Sequence, residues 1–341
     1  MVLAEPRTFL SVNFHSARGR RKSPRVKISS VSAQREVDLS VQIGSLHFSN
    51  PLIAASGTFG YGLEFADLVD LNALGGFVTK GLSLAPMEGA PAPRVCETPS
   101  GMLNAVGLQN VGVRAFVAEK LPALRKFKTH VICNVFGHTA GEYVEVIRVL
   151  NDSEGVSAYE LNVSCPNTDA GGIVFGVDCQ LLGQLVESAK RAATRPLWVK
   201  LSPNVTDIRI IARTAESAGA DALTVANTYP AMAVDVSTRR SRLGRLTGGL
   251  SGPAIRPMTL RLVFESAHTV SLPVVGLGGI ESAEDVLEYL AVGARAVQIG
   301  TANFANPRAI PGILGALQSR FFDLNCKTLK DLTDVLERSD Y

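Results

Sequence analysis

The chain has 341 residues, 46% hydrophobic and 19% charged, a balance that supports a sizeable buried core and excludes global disorder. Its formal net charge of +3 is unevenly spread: residues 1–36 hold Arg7, Arg18, Arg20, Arg21, Lys22, Arg25, Lys27 and Arg35 against only Glu5 and Glu36, so the rest is slightly acidic. A folded part without positive excess argues against nucleic-acid binding, and no apolar run is long enough to cross a bilayer.

Residues 1–37 mix Ser, Arg and Lys without the apolar stretch of a secretory signal, and are expected to form a basic, disordered N-terminal tail; the same composition also fits an organelle transit peptide. The cysteines at 96, 133, 165, 179 and 326 include no C-x-x-C pair and no Cys/His cluster at metal-ligand spacing. A reducing, cytoplasmic setting follows, with no metal site expected.

From about residue 40 short apolar runs alternate with helix-compatible segments. The runs predict strands at Leu52–Ser56, Gly76–Lys80, His130–Phe136, Ala158–Val163, Leu197–Leu201, Ala222–Ala226, Val274–Leu277 and Ala296–Ile299. Helices are predicted at 113–127, 139–150, 178–193, 207–218, 253–268 and 281–291. Strands that are apolar throughout are covered on both faces, as in a parallel sheet. Eight of them in this length give an α/β fold, a TIM (β/α)8 barrel forming one domain over 38–341. The Pro- and Gly-rich stretch 85–112 breaks the alternation and is expected to be an insertion over the C-terminal mouth of the barrel.

Chemistry gathers at the strand ends. Gly276-Leu277-Gly278-Gly279-Ile280 follows the seventh strand and Gly300-Thr301 the eighth, the positions of a phosphate cradle in many barrels. No G-x-G-x-x-G follows the first strand, so FMN fits better than a nicotinamide dinucleotide. Lys80 and Lys200 end two apolar strands and would bring positive charge to the mouth. Asn104, Asn134, Asn162, Asn167 and Asn227 recur at strand ends or in the insertion; any one of them alone is more often a turn residue, but together they suit a planar ligand with alternating N–H and C=O groups. In Glu160-Leu161-Asn162-Val163-Ser164-Cys165-Pro166-Asn167, a strand runs into a loop whose thiol could act as a general base. The other four cysteines read as structural.

Asn162-Val163-Ser164-Cys165-Pro166-Asn167 resembles the catalytic motif of the class 1 dihydroorotate dehydrogenases. Ala55–Gly60, Thr79–Gly81, Asn104–Asn110 and Gly248–Ala254 are similar to further family segments in the same order, from about residue 38 almost to the C-terminus. Gly171–Gly176 is similar to the class 1B pattern. The resemblance implies an FMN-containing catalytic subunit that oxidises dihydroorotate to orotate in pyrimidine synthesis. Its electrons would reach NAD through a partner subunit carrying FAD and an iron–sulfur cluster, around a homodimeric core. It implies Cys165 as the base at C5, with hydride passing from C6 to FMN. FMN would be held by Ser56, Lys80, Gly81, Asn134, Asn162, Lys200, Ala226, Gly252, Gly278, Gly279, Gly300 and Thr301. Substrate would be held by Lys80, Asn104, Ala105, Val106, Gly107, Leu108, Asn162, Asn167, Asn227 and Thr228. Tyr229-Pro230 departs from the family pattern, leaving the shape of its loop open. Competing readings are a fumarate-dependent class 1A enzyme, a dihydropyrimidine dehydrogenase-like flavin barrel, disfavoured by Asn rather than His at 167, and a flavin-free aldolase or lyase using Lys200 as an amine.

Overall fold

The computed structural model describes residues 37–164, 166–167 and 173–336, so the basic tail, Cys165, Gly171 and Gly172 lie outside the described residues. Eight parallel strands run in chain order: β1 (Leu52–Ala54), β2 (Gly76–Val78), β3 (His130–Val135), β4 (Ala158–Asn162), β5 (Leu197–Lys200), β6 (Ala222–Val225), β7 (Val274–Leu277) and β8 (Ala296–Ile299). They form a closed barrel, with Val297 of β8 paired to Leu52 of β1. These are the eight predicted strands. Six stop one or two residues before their apolar runs do, because the last residues leave the ladder for the mouth. Lys80, for example, donates its backbone N–H to Gly60 O at 2.7 Å, in a loop.

Helices α1 (residues 113–124), α2 (Ala140–Asn151), α3 (Cys179–Ala192), α4 (Ile208–Ser217), α5 (Arg256–Ala267), α6 (Ala283–Ala291) and α7 (Ala309–Asp323) surround the barrel. Their starts are set locally. The side chains of Thr139, Asp178, Asp207 and Ser282 each accept a backbone N–H of the first turn, and Ser282 with Asp285 completes a capping box. Helix α1 widens into a π turn at Phe116–Lys120, just ahead of Pro122, which has no N–H to continue the regular ladder.

Alternation along each strand sorts the interior into layers. At the N-terminal end a hairpin, Val41–Ile43 paired with Leu46–Phe48, closes the floor by packing Ile43 and Phe48 against Ile53, Val78, Ile132 and Trp198. The ring of Phe48 lies 4.4 Å from that of His130 and 6.0 Å from that of Trp198.

At the other end an antiparallel sheet covers part of the mouth, in the order Val95–Thr98, Gly101–Asn104, Gly248–Ser251, Tyr229–Ala231. The insertion expected at 85–112 lies here, and a second excursion after β6, which sequence reading passed over, supplies the other half of this roof. Its signal was hidden because Gly248-Gly249 reads as loop, while its ladder partner Asn104 is 145 residues away. The Tyr229-Pro230 departure resolves as an edge strand, a position where proline costs no ladder bond on its open side.

Phe48→Ala should destabilise the barrel by about 3–5 kcal/mol, because its ring is fully buried in the floor. Deleting residues 1–36 should leave the denaturation midpoint unchanged. Chemical denaturation of both variants checks this, and an equal loss from the deletion would count against an independent tail.

Candidate active site

Strand geometry places the two lysines. Trp198 of β5 points into the floor, so Lys200, two residues on, points into the same interior one layer nearer the mouth. Lys200 is only 6% exposed, and burial pushes its ammonium below the ordinary lysine value while the carboxylate of Glu160 acts in the opposite direction. Glu160 itself is fully buried on β4. It accepts hydrogen bonds from Asn134 Nδ2 at 2.8 Å, Thr224 Oγ1 at 2.8 Å and Gln298 Nε2 at 2.6 Å, a polar layer across the barrel.

Lys80 stands just past β2. Its Nζ donates to Gln109 Oε1 at 3.3 Å, and that oxygen also accepts from Arg94 Nη1 at 3.0 Å. Burial first, and the nearby Arg94 charge second, lower the Lys80 ammonium from its ordinary value, with Glu64 opposing. Asn227 Nδ2 donates to both Asn162 Oδ1 and Ser164 Oγ at 3.0 Å, and Asn227 Oδ1 accepts the Thr228 N–H at 2.9 Å, so this amide locks two strand ends together. Asn104 Nδ2 donates to Gly249 O at 3.2 Å and joins the two central strands of the roof.

The phosphate-type turns adjoin these groups. Gly279 has φ 68°, and a Cβ there would lie 2.7 Å from Gly252 O, so the turn after β7 and the start of α5 approach more closely than any side chain permits. Tyr289 Oη donates to Gly278 O at 2.7 Å from below, and Thr301 Oγ1 donates to Ser251 Oγ at 2.8 Å. In the roof loop, Leu108 holds a left-handed φ of 60°, strained for a leucine.

All these elements surround one cavity of about 430 Å³, within the range of small-molecule sites. Every proposed FMN position lines it, as do Asn104–Leu108, Asn227 and Thr228. Among its described lining residues the charged ones are Lys80, Lys200 and Arg245, with no Asp or Glu, which suits an anionic ligand. Cys165 lies outside the described residues. Asn167 falls in a two-residue strand, Pro166–Asn167, paired with Ile173–Val174, and its side chain is not described.

Sequence reading passed over Gln109, Arg245 and the role of Glu160. Gln109 sits inside the family-like stretch Asn104–Asn110, and Arg245 closes an arginine-rich run from Arg239. The one signal for Glu160 is an acid inside an otherwise apolar strand. Cys96 and Cys133 are buried thiols, and burial pushes Cys133 strongly upward, in keeping with a structural role. Among the described residues no group of acidic, His or Cys side chains could hold a metal ion.

A family profile described as dihydroorotate dehydrogenase matches residues 38–321. A protein of Solibacter usitatus, provisionally named dihydroorotate dehydrogenase A (fumarate), is 60% identical over 80% of this chain and 89% of its own. The dihydroorotate dehydrogenase B (NAD(+)) catalytic subunits of Thermodesulfovibrio yellowstonii and Pelobacter propionicus are 51% and 50% identical, over 86% and 88% of this chain and 97% and 99% of theirs.

If the turn after β7 holds a phosphate, Gly279→Ala should weaken retention of a phosphorylated cofactor at least ~10-fold, since a methyl group there would lie 2.7 Å from Gly252 O and force the two backbones apart. Cofactor content after gel filtration checks this; full retention would remove the turn from the phosphate site.

Proposed function

Because this chain belongs to the dihydroorotate dehydrogenase family, we propose that its mouth cavity binds FMN and oxidises dihydroorotate to orotate in pyrimidine synthesis. One observation carries the reading: a single cavity joins the glycine turns after β7 and β8 to two lysines and a set of asparagine amides, without a lining carboxylate among the described residues. The lining fits FMN at both ends. Gly252, Gly278, Gly279, Gly300 and Thr301 offer backbone N–H groups and a hydroxyl for a phosphate. Ser56, Lys80, Gly81, Asn134, Asn162, Lys200 and Ala226 would surround the ring, with the lysines supplying positive charge.

Bound FMN supplies a hydride acceptor. The chain's own groups do the rest. Lys80 would pair with the substrate carboxylate, and Asn104, the backbone of Ala105–Leu108, Asn162, Asn167, Asn227 and Thr228 would satisfy the ring N–H and C=O groups. Cys165 is assigned as the base that takes the C5 proton. Its chain neighbour Ser164 lines the cavity, which supports that assignment.

The class 1B reading, with NAD as final acceptor, is supported by the relatives named as B-type catalytic subunits. In that reading a partner subunit carries FAD and an iron–sulfur cluster, a homodimer of this chain forms the core, and the complex works in the cytoplasm. No described helix is long and apolar enough to cross a membrane. The Solibacter relative favours fumarate as a second possibility. Assays of the purified chain with NAD and with fumarate, with and without partner subunits, separate the two, and turnover with fumarate alone would overturn the B-type reading.

Cys165→Ala should keep its flavin yet lose about 10²–10⁴-fold in dihydroorotate turnover, the usual worth of a positioned base; Cys165→Ser should lose less. Full turnover in the alanine variant would remove Cys165 from the chemistry. Lys80 binds an anion only while protonated, and its pKa lies below the ordinary 10.5. KM for dihydroorotate should therefore rise with pH before 10.5 is reached, while Lys80→Met should have a KM raised at all pH values and flat over that range. An unchanged KM in Lys80→Met would place the carboxylate elsewhere.

A further inference from the structure

Glu160 is a carboxylate in the middle of a barrel, fully buried and outside the ligand cavity, and nothing in the dihydroorotate reaction described above uses it. Its three hydrogen-bond donors, Asn134, Thr224 and Gln298, are all neutral, so they satisfy its oxygens without balancing its charge. The charged group acting with it is Lys200 on the adjacent strand, where Lys200 pairs in register with Asn162. From the other side β6 presents only the neutral Thr224, and across the cavity stand Lys80 and Arg245, both of Lys200's own sign. Glu160 is therefore the one opposite charge bearing on Lys200 among the described residues around it.

The same carboxylate sets an orientation. It can only accept, so the Asn134 amide must turn its NH₂ inward, leaving Oδ1 on the cavity side near Gly81. We propose that Glu160 is a positioning residue of the cofactor site: from beneath the cavity it supplies the compensating charge for Lys200, fixes the amide of Asn134, and thereby raises the reduction potential of the bound flavin. Adding electrons to the flavin places negative charge beside Lys200, and a cation there favours the reduced form. This inference rests on the flavin reading of the cavity.

The sign of the effect separates it from simple charge removal. If Lys200 kept its charge without Glu160, deleting the carboxylate would raise the flavin potential. If Lys200 depends on Glu160, deletion neutralises both, and the nearer loss, that of the cation, dominates.

The test is the flavin midpoint potential of the purified holoprotein and of Glu160→Gln, Lys200→Met and the double variant. Glu160→Gln should shift the two-electron reduction equilibrium at least tenfold toward the oxidised form, about 30 mV downward. Lys200→Met should lower the potential in the native background and have no further effect in Glu160→Gln. Gln298→Met, which removes a neutral donor and no charge, should stay near the native value. A raised or unchanged potential in Glu160→Gln, or a full Lys200→Met effect in its presence, overturns the proposal. Because the proposal leaves Lys200 uncharged in Glu160→Gln, that variant holds no unpaired buried charge and should retain flavin, so loss of flavin from it also overturns the proposal. A native protein without flavin or without dihydroorotate oxidation defeats the functional reading instead, so the two failures are distinguishable.

Discussion

Closure of the strand ladder between β8 and β1 is the constraint from which the rest of this molecule follows. Once Val297 pairs with Leu52, the C-terminal ends of eight strands spread from residue 52 to residue 299 must meet around one rim. Each loop at that rim is then short of room to go anywhere but over the mouth. Ser56, Lys80, Asn162, Lys200, Asn227, Gly279 and Thr301 become neighbours although no two of them are close in sequence. Side-chain alternation does the sorting along the barrel axis, so that two residues of one strand, Trp198 and Lys200, serve as floor and as cavity lining.

A closed barrel also imposes an electrostatic problem. Its interior is shielded from water, and a lysine pointing into it loses hydration that only a nearby acid or a bound anion can replace. The two lysines meet this differently. Lys80, half-buried at the rim, shares the Gln109 carbonyl with Arg94 and faces open space, whereas Lys200, two residues beyond the ladder partner of Glu160, is acted on by the Glu160 charge. Keeping every carboxylate off the described lining while placing one beneath it leaves the cavity positive without leaving the interior unbalanced.

Legibility in the sequence followed the range of the interactions. All eight barrel strands were readable, because a parallel strand covered on both faces is apolar throughout and needs no partner to be identified as such. The helices predicted from 178 and 281 begin within two residues of those positions, where Asp178 and Ser282 cap them. The lysines and glycine turns were readable as strand-end residues. What was not readable depended on distant pairing: Gly248–Ser251 becomes a strand only against Gly101–Asn104, and Gln109 matters only because a loop brings it between two cations. The place of Cys165 just past a strand suggested a base, while the assignment of C5 as its target came from the resemblance of its motif.

The roof adds a consequence for how the molecule comes together. Its central pairing joins Asn104 to Gly249, a contact spanning 145 residues that include β3, β4, β5 and β6. The loop-closure entropy of such a contact is small only after the intervening strands have already brought its ends side by side. The entrance to the cavity is thus a product of barrel assembly rather than a nucleus for it, and the path by which ligands arrive exists only in chains that have already closed.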